Sequence, residues 1–149
     1  MNHRGAEDTE VKGQQAVAQF AQDDEKSLNS LTSKIIGGAI EVHREFGPGL
    51  LESIYEEALA LELASKGLNV QKQKEIQLIY KGQPLDRTYR IDLLVENQII
   101  VELKAVSQIL PIHEAQLLTY LKITQCKLGL LLNFNVPVLK QGIKRVIHG

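Results

Sequence analysis

The chain has 149 residues, 44% of them hydrophobic, which is enough for one ordinary core and too few for two. Its single cysteine, Cys126, excludes an internal disulfide, and its longest apolar run, Leu128 to Phe134, is far below the roughly 20 residues needed to cross a bilayer. No secretion signal is recognisable, so we expect a soluble protein of the reducing cytoplasm without a membrane partner.

The formal charge of −1 is unevenly distributed. Residues 1–30 hold three basic and six acidic side chains, whereas the remaining 119 hold 14 basic and 12 acidic ones. This small positive surplus is not the strongly basic footprint of a dedicated nucleic-acid binder. Charge alone therefore indicates neither DNA nor RNA.

The first part of the chain is predicted to be a mobile tail followed by two helices. Residues 1–27 are polar and lack a sustained apolar stripe, so we separate them from a single domain at 28–149. Apolar residues recur every three or four positions from Leu28 to Phe46, which is the period of a helix, and Gly47 ends it. A second helix is predicted from near Gly49 to Lys66. Its inward-facing residues are expected to be Leu51, Ile54, Ala58 and Leu61.

Strand-forming residues follow the second helix. Val70–Tyr80, Thr88–Val95 and Ile99–Ala105 are predicted to form an antiparallel meander. The sequence Lys-Gly-Gln-Pro at 81–84 supplies the turn between the first two strands.

The C-terminal part is predicted to complete an α/β fold. A third helix follows Pro111, with three apolar residues facing inward: Ala115, Leu118 and Leu121. The continuous apolar run Leu128–Phe134 is typical of a buried strand, and Val138–Ile147 is expected to add an edge strand. The order α-α-β-β-β-α-β(-β) predicts a small mixed sheet flanked by helices.

Asp92 is an acid in the middle of an apolar strand. Alternation along the strand predicts that Asp92 shares one face with Arg90 and Leu94. Ile91 and Leu93 should lie on the other face. An acid at such a position is a candidate functional residue.

The connection to the next strand determines which residue faces Asp92. Residues 96–98 fit a three-residue hairpin loop, which would pair Val95 with Ile99. In that register Asp92 lies opposite Glu102. Opposed Cβ atoms are roughly 4.5 to 5.5 Å apart, so two carboxylates would repel each other unless a cation lies between them.

Glu102 and Lys104 share a face of the third strand, so an acid and a base lie side by side, with Arg90 expected opposite Lys104. Carboxylate oxygens are the ligands that Mg²⁺ and Mn²⁺ prefer. Lys104 would orient a water molecule or neutralise charge that develops on a phosphate. These residues predict a divalent-metal site that acts on phosphate esters.

The candidate residues also have ordinary structural interpretations. Glu102 and Lys104 would form an exposed pair worth under about 1 kcal/mol. Glu52, in the first turn of helix two, would act at its N-terminus through the helix dipole. Gln116 and Tyr120, four apart on helix three, would form the polar edge of an amphipathic helix. The two opposed carboxylates favour a functional site instead.

Further motifs make the sequence resemble a known family. Gly49, Glu52 and Tyr55 reproduce a GxxExxY signature. The stretch Gln116–Tyr120 resembles the QxxxY element of RecB-like nucleases. Asp92 with Glu-Leu-Lys at 102–104 is similar to the core of the PD-(D/E)XK nuclease superfamily, and the resemblance covers about residues 33–147. Residue 91 is Ile where the superfamily name expects Pro.

The resemblance implies the α/β nuclease fold and a role for each motif residue. The implied metal ligands for Mg²⁺ or Mn²⁺ are Glu52, Asp92 and Glu102. The implied catalytic residues are Asp92, Glu102 and Lys104. The substrate-binding residues would be Gln116, Tyr120, Tyr55 and Arg90.

The leading hypothesis is a metal-dependent phosphodiesterase that cuts DNA or RNA. The alternative is a catalytically silent nucleic-acid-binding or protein-interaction module that keeps the nuclease fold. A third interpretation treats the acids as a purely structural ion network. The preference for DNA or RNA and the oligomeric state, including a homodimer, are left open.

Several further polar residues lie outside these motifs. His43 is expected either to cap the last carbonyls of helix one, which is the favoured interpretation, or to approach the site. Cys126 is interpreted as a small structural residue. A basic group near the C-terminus fits either a phosphate contact or a solvated sheet edge: Lys140, Lys144 and Arg145.

Overall fold

The computed structural model describes the backbone of residues 3–149 and the side chains of residues 25–149. The chain divides into two compact units, 1–33 and 34–149. Helix α1 (His3–Phe46) begins in the first unit and ends in the second. Most of the predicted tail, 1–27, lies outside the residues whose side chains are described, so its mobility and its boundary stay predictions.

The second unit contains a five-stranded sheet and two further helices. The elements after α1 are, in chain order, α2 (Glu52–Ser65), β1 (Val70–Tyr80), β2 (Gln83–Val95), β3 (Ile99–Lys104), α3 (Pro111–Thr124), β4 (Leu128–Asn133), a 3₁₀ turn (Leu139–Gly142) and β5 (Ile143–Ile147). The order across the sheet is β1-β2-β3-β4-β5, with β3 and β4 parallel and the other pairs antiparallel. The predicted α/β fold and the predicted meander are confirmed.

The turn between β1 and β2 is tighter than predicted. Tyr80 pairs directly with Gln83, and Lys81 and Gly82 have φ angles of 47° and 80°. Two-residue turns with positive φ at both positions match the twist of antiparallel strands. β2 therefore begins at Gln83 rather than at Thr88.

The inward face of α2 is not the predicted one. Its fully buried large side chains lie four residues apart: Tyr55, Leu59 and Leu63. The four predicted residues are exposed or half-buried: Leu51, Ile54, Ala58 and Leu61. Apolar residues occur on more than one side of α2, so periodicity alone does not select the face. The ring of Tyr55, which stacks on Phe134 with centroids 4.5 Å apart, lies on the side that is buried.

The buried face of α3 also differs from the prediction. The buried residues are Leu117, Tyr120 and Leu121, so Leu121 alone was predicted correctly. A Cβ atom on Gly129 of β4 would lie 2.8 Å from the side chain of Leu117. The absence of a side chain at Gly129 therefore lets α3 approach the sheet closely.

The central strands are buried on both faces. One hydrophobic cluster joins the sheet to α3: Ile76, Ile91, Leu94, Ile100, Leu117, Tyr120, Leu121, Cys126 and Leu131. Val101 and Leu132, which alternate with members of that cluster along β3 and β4, are fully buried as well. In the part of the chain that the structure describes, no helix combines the length and apolar content needed to span a membrane.

Candidate active site

The two predicted acids meet where β2 and β3 separate. As predicted, Val95 pairs with Ile99, and the backbone pairing continues to Leu93 and Val101. The next position in this register brings Asp92 to Glu102. Here hydrogen bonds between carboxylates and backbone N–H groups take the place of backbone–backbone pairing. The Asp92 N–H donates to Glu102 Oε1 (3.1 Å).

The contact between the two acidic residues is reciprocal. While Glu102 accepts from the backbone of Asp92, Asp92 Oδ2 accepts from the N–H of Leu103 (2.9 Å). Each carboxylate therefore satisfies a backbone donor of the opposite strand at the point where the ladder ends. This arrangement holds both acids in defined positions.

The alternation of β2 breaks beside Asp92. Ile91 and Leu94 belong to the same core cluster, although the predicted alternation places them on opposite faces. On the neighbouring strand, Gln73 has a φ of +52°, and the Gln73–Asp92 pair is missing from the register. Irregularities of this kind re-aim a side chain. The predicted separation of Ile91 and Leu94 onto opposite faces of β2 is therefore wrong.

Glu102 is a buried acid next to another acid. Only 8% of Glu102 is exposed, which excludes the exposed surface pair with Lys104. Burial, and after it the negative charge of Asp92, raises the pKa of Glu102 to about 8. The positive charge of Lys104 lowers the pKa of Glu102 and so partly offsets these two effects. A cation bound at this position would favour the charged carboxylate.

An open cleft of about 570 Å³ lies beside Asp92. It is lined by Leu50, Leu51, Glu52, Ser53, Glu56, Gln73, Asp92 and Ala105. Glu52 Oε1 accepts from the N–H of Ala105, which follows β3 (3.1 Å). No side-chain hydrogen bond caps the N-terminus of α2, so Glu52 joins the helix to the end of β3 rather than capping its own helix.

Glu56 and Gln73 belong to the cleft and were missed by the sequence analysis. The Gln73 amide donates to Glu56 and, at 3.4 Å, to Asp92 Oδ1. Burial raises the pKa of Glu56, and the negative charges of Asp92 and Glu52 add to this effect. The available signal was that Glu56 lies one helical turn after Glu52.

The predicted metal ligands come together only in part. Asp92 and Glu102 are in contact, and Glu52 lines the same cleft as Asp92. Across the described residues, no three side chains of His, Cys, Asp or Glu converge into a group that would hold a metal ion. The donors fit a hard divalent cation in kind, since all three are carboxylates.

Lys104 and Arg90 have different surroundings. Lys104 is half-buried, and its positive charge lowers the pKa of Glu102. Among residues 25–149, Lys104 forms no ion pair. Arg90 instead pairs with Glu75 of β1 at 3.3 Å, and both side chains are largely exposed.

The two motif residues of α3 also separate. Gln116 is exposed, whereas Tyr120 is 5% exposed, with its ring 5.3 Å from that of Tyr89. Burial, and next the charge of Glu102, raises the pKa of Tyr120 to about 12. Tyr120 is therefore a neutral phenol at physiological pH, close to the acids.

Tyr55 holds the loop before α2. The Tyr55 hydroxyl donates to the Gly47 carbonyl (2.6 Å) and accepts from the Leu50 N–H (3.1 Å), and no part of the residue is exposed. In the same loop Gly49 has a φ of +104°, which favours glycine. These contacts give Tyr55 a structural role in this conformation rather than the implied substrate contact.

Two polar residues from other elements support the site region. The predicted capping role of His43 is wrong, because its ring nitrogen Nε2 donates to the Val136 carbonyl at 2.9 Å. Asn133, at the end of β4, accepts from the N–H of Val106 and donates to its carbonyl. Asn133 thereby holds the segment that follows Lys104, and no feature of the sequence pointed to this contact.

Comparison with known proteins identifies the family. A family model described as the PD-(D/E)XK nuclease superfamily matches residues 29–146, most of the chain. The matched range contains every residue of the candidate site. A search of curated proteins finds no match.

Proposed function

This chain belongs to the PD-(D/E)XK nuclease superfamily, and from that premise we propose that it is a metal-dependent nuclease hydrolysing phosphodiester bonds of DNA or RNA. The observation that carries the proposal is the contact between Asp92 and Glu102 at the separation of β2 and β3. We further propose, from Gly49, Glu52 and Tyr55, that it is of the GxxExxY type.

Asp92, Glu102 and Glu52 would hold Mg²⁺ or Mn²⁺, because these carboxylates are hard oxygen donors at the cleft. An ion held by these carboxylates would supply the positive charge that polarises the scissile phosphate. Lys104, whose charge already acts on Glu102, would hold the attacking water or offset negative charge on the phosphate. Gln116 and Tyr120 would contact the phosphate of the substrate from α3.

The test is cleavage of single- and double-stranded DNA and RNA with Mg²⁺ or Mn²⁺. We expect Asp92→Ala and Lys104→Ala to lose at least about 100-fold in rate, the lower range for a positioned acid or base. Glu57→Ala and Lys122→Ala are matched controls, because both residues are exposed, and they should retain activity. Equal activity in all five proteins would indicate a contaminant and contradict the proposal.

The second candidate function is a silent nucleic-acid-binding or protein-interaction module. It is favoured by one observation: a backbone N–H already bonds to each of Glu52, Asp92 and Glu102, and the three carboxylates do not converge. In such a module these hydrogen bonds would be the purpose of the acids. A metal-dependent change in stability separates the two candidates.

A further inference from the structure

The outer part of the β1–β2 hairpin stands apart from the rest of the sheet. β3 pairs with β2 only over Leu93–Val95, whereas β1 pairs with β2 along nearly its whole length. Every residue from 79 to 90 is exposed. We call residues 74–91 the arm. Ile76 and Ile91, at the base of the arm, belong to the core cluster. Beyond them the arm is a two-stranded hairpin that buries little surface and is marginally stable in water by itself, so its exposed length points to a binding role.

The charge of the arm is positive, in contrast to the chain as a whole. It contains four basic and two acidic residues, and one acid, Glu75, is paired with Arg90. The remaining three basic side chains form no ion pair with any described residue and are exposed: Lys74, Lys81 and Arg87. Cations arranged in this way complement a phosphate backbone.

The arm also exposes aromatic rings beside its cations. Tyr80 is 61% exposed, and the Lys81 ammonium lies 5.4 Å from the centroid of its ring. Tyr89 is 41% exposed. Proteins that bind single strands combine aromatic faces, on which bases stack, with cations that contact phosphates. Bases in a duplex are already stacked on each other, so exposed rings favour a single strand.

The arm is continuous with the candidate active site. Gln73 and Asp92, which flank the two ends of the arm, both line the cleft. A strand bound along the arm would therefore lie next to the acids.

We propose that the arm binds single-stranded nucleic acid and leads it to the cleft, with Tyr80 stacking on a base. The assigned phosphate contacts are Lys74, Lys81 and Arg87. The choice of nucleic acid rests on the proposed nuclease function. Lysines on an edge strand such as β1 also serve to prevent pairing with other strands, and the experiment separates this role from binding.

The experiment measures fluorescence anisotropy of labelled single-stranded DNA and RNA, about 20 nucleotides long, with the full chain in EDTA. The arm variant is Lys74→Ala/Lys81→Ala/Arg87→Ala. Its matched control is Lys34→Ala/Lys66→Ala/Lys122→Ala, which removes the same number of exposed positive charges outside the arm. We expect the arm variant alone to lose affinity and about two units of its logarithmic salt dependence, from three contacts at about 0.7 each.

Tyr80 supplies a test that leaves the charge unchanged. Tyr80→Ala should weaken binding at least about fivefold, whereas Tyr80→Phe should bind as the wild type does, because stacking needs only the ring. Equal losses in the two triple variants, no loss in either, or equal affinity of the wild type for a duplex would overturn the proposal.

The outcome also distinguishes this inference from the nuclease proposal. Asp92→Ala should still bind single strands in EDTA. Arm-dependent binding without cleavage would contradict the nuclease and leave the arm assignment standing. Normal cleavage by the arm variant at subsaturating substrate would contradict the arm assignment and leave the nuclease standing.

Discussion

The two ends of the β2–β3 hairpin differ sharply although they are built from the same two strands. Near the loop, Val95 and Ile99 are fully buried and regularly paired. Three residues further along β2, the pairing stops and Asp92 and Glu102 bond to the backbone of the opposite strand. The apolar end provides a rigid support, and the polar end uses that support to hold acids in place at the cost of their desolvation.

The largest expected effect removes support from the apolar end. Ile99→Ala, in a fully buried position at the start of β3, should lower the free energy of unfolding by about 2–5 kcal/mol. Chemical denaturation measures this change. Cleavage per folded molecule should remain within a few-fold of wild type. A full loss of cleavage in a folded Ile99→Ala protein would show that the two ends are not separable.

The next effect concerns metal binding at the polar end. If the acids bind Mg²⁺ or Mn²⁺, a hundredfold excess over Kd should stabilise the wild type by about 2.7 kcal/mol. Asp92→Asn should gain nothing from the metal. In EDTA and above about pH 8, where Glu102 is charged, it should melt no lower than the wild type, because one of two opposed charges is gone. Melting curves with and without metal test this, and a wild type that does not respond would favour the silent module.

The raised pKa of Glu102 predicts how stability without metal depends on pH. The folded state keeps the proton up to about pH 8, whereas an unfolded glutamate loses it near its ordinary value of 4.5. Between these values the folded state binds more protons, so the free energy of unfolding falls as the pH rises. Glu102→Gln should show a weaker fall between pH 5 and 8.

Denaturation at several pH values in EDTA measures this difference. Glu57→Gln is the matched control, because Glu57 is exposed on α2. A Glu102→Gln profile parallel to that of the wild type would mean that Glu102 is charged in the fold. The polar end would then hold two charged carboxylates side by side.

The smallest expected effect concerns a residue of β1, outside the β2–β3 hairpin. Glu75→Ala removes the exposed ion pair with Arg90 and should change the free energy of unfolding by at most about 1 kcal/mol. A larger change, measured by denaturation, would mean that the arm contributes to the fold itself. The comparison would then have to include β1.

The part of the site that could be predicted is the part that depends on local geometry. The loop at 96–98 and the alternation of β3 are properties of neighbouring residues, and together they bring Asp92 to Glu102. Gln73 and Asn133 reach the site region through tertiary packing, for which a single sequence has no local signal, whereas Glu56 could have been found from its place one helical turn after Glu52. The positive φ of Gln73 is likewise unexpected for a glutamine.

In the fold, too, the features set by local sequence were predictable and those set by tertiary packing were not. Element types and their order follow from periodicity and turns, whereas the buried faces of α2 and α3 did not. Both helices carry apolar residues on several sides, so the choice of face depends on distant partners. Phe134 lies against Tyr55 of α2, and Gly129 admits Leu117 of α3.

The Tyr55 hydroxyl has a mechanical consequence. The hydroxyl bonds to both Gly47 and Leu50, and these two hydrogen bonds restrain the loop between α1 and α2. Glu52 is the first residue of α2, so the conformation of this loop determines the position of the Glu52 carboxylate. In the Gly49–Glu52–Tyr55 pattern, Gly49 and Tyr55 would thus fix the conformation of the loop, and only Glu52 would take part in the chemistry.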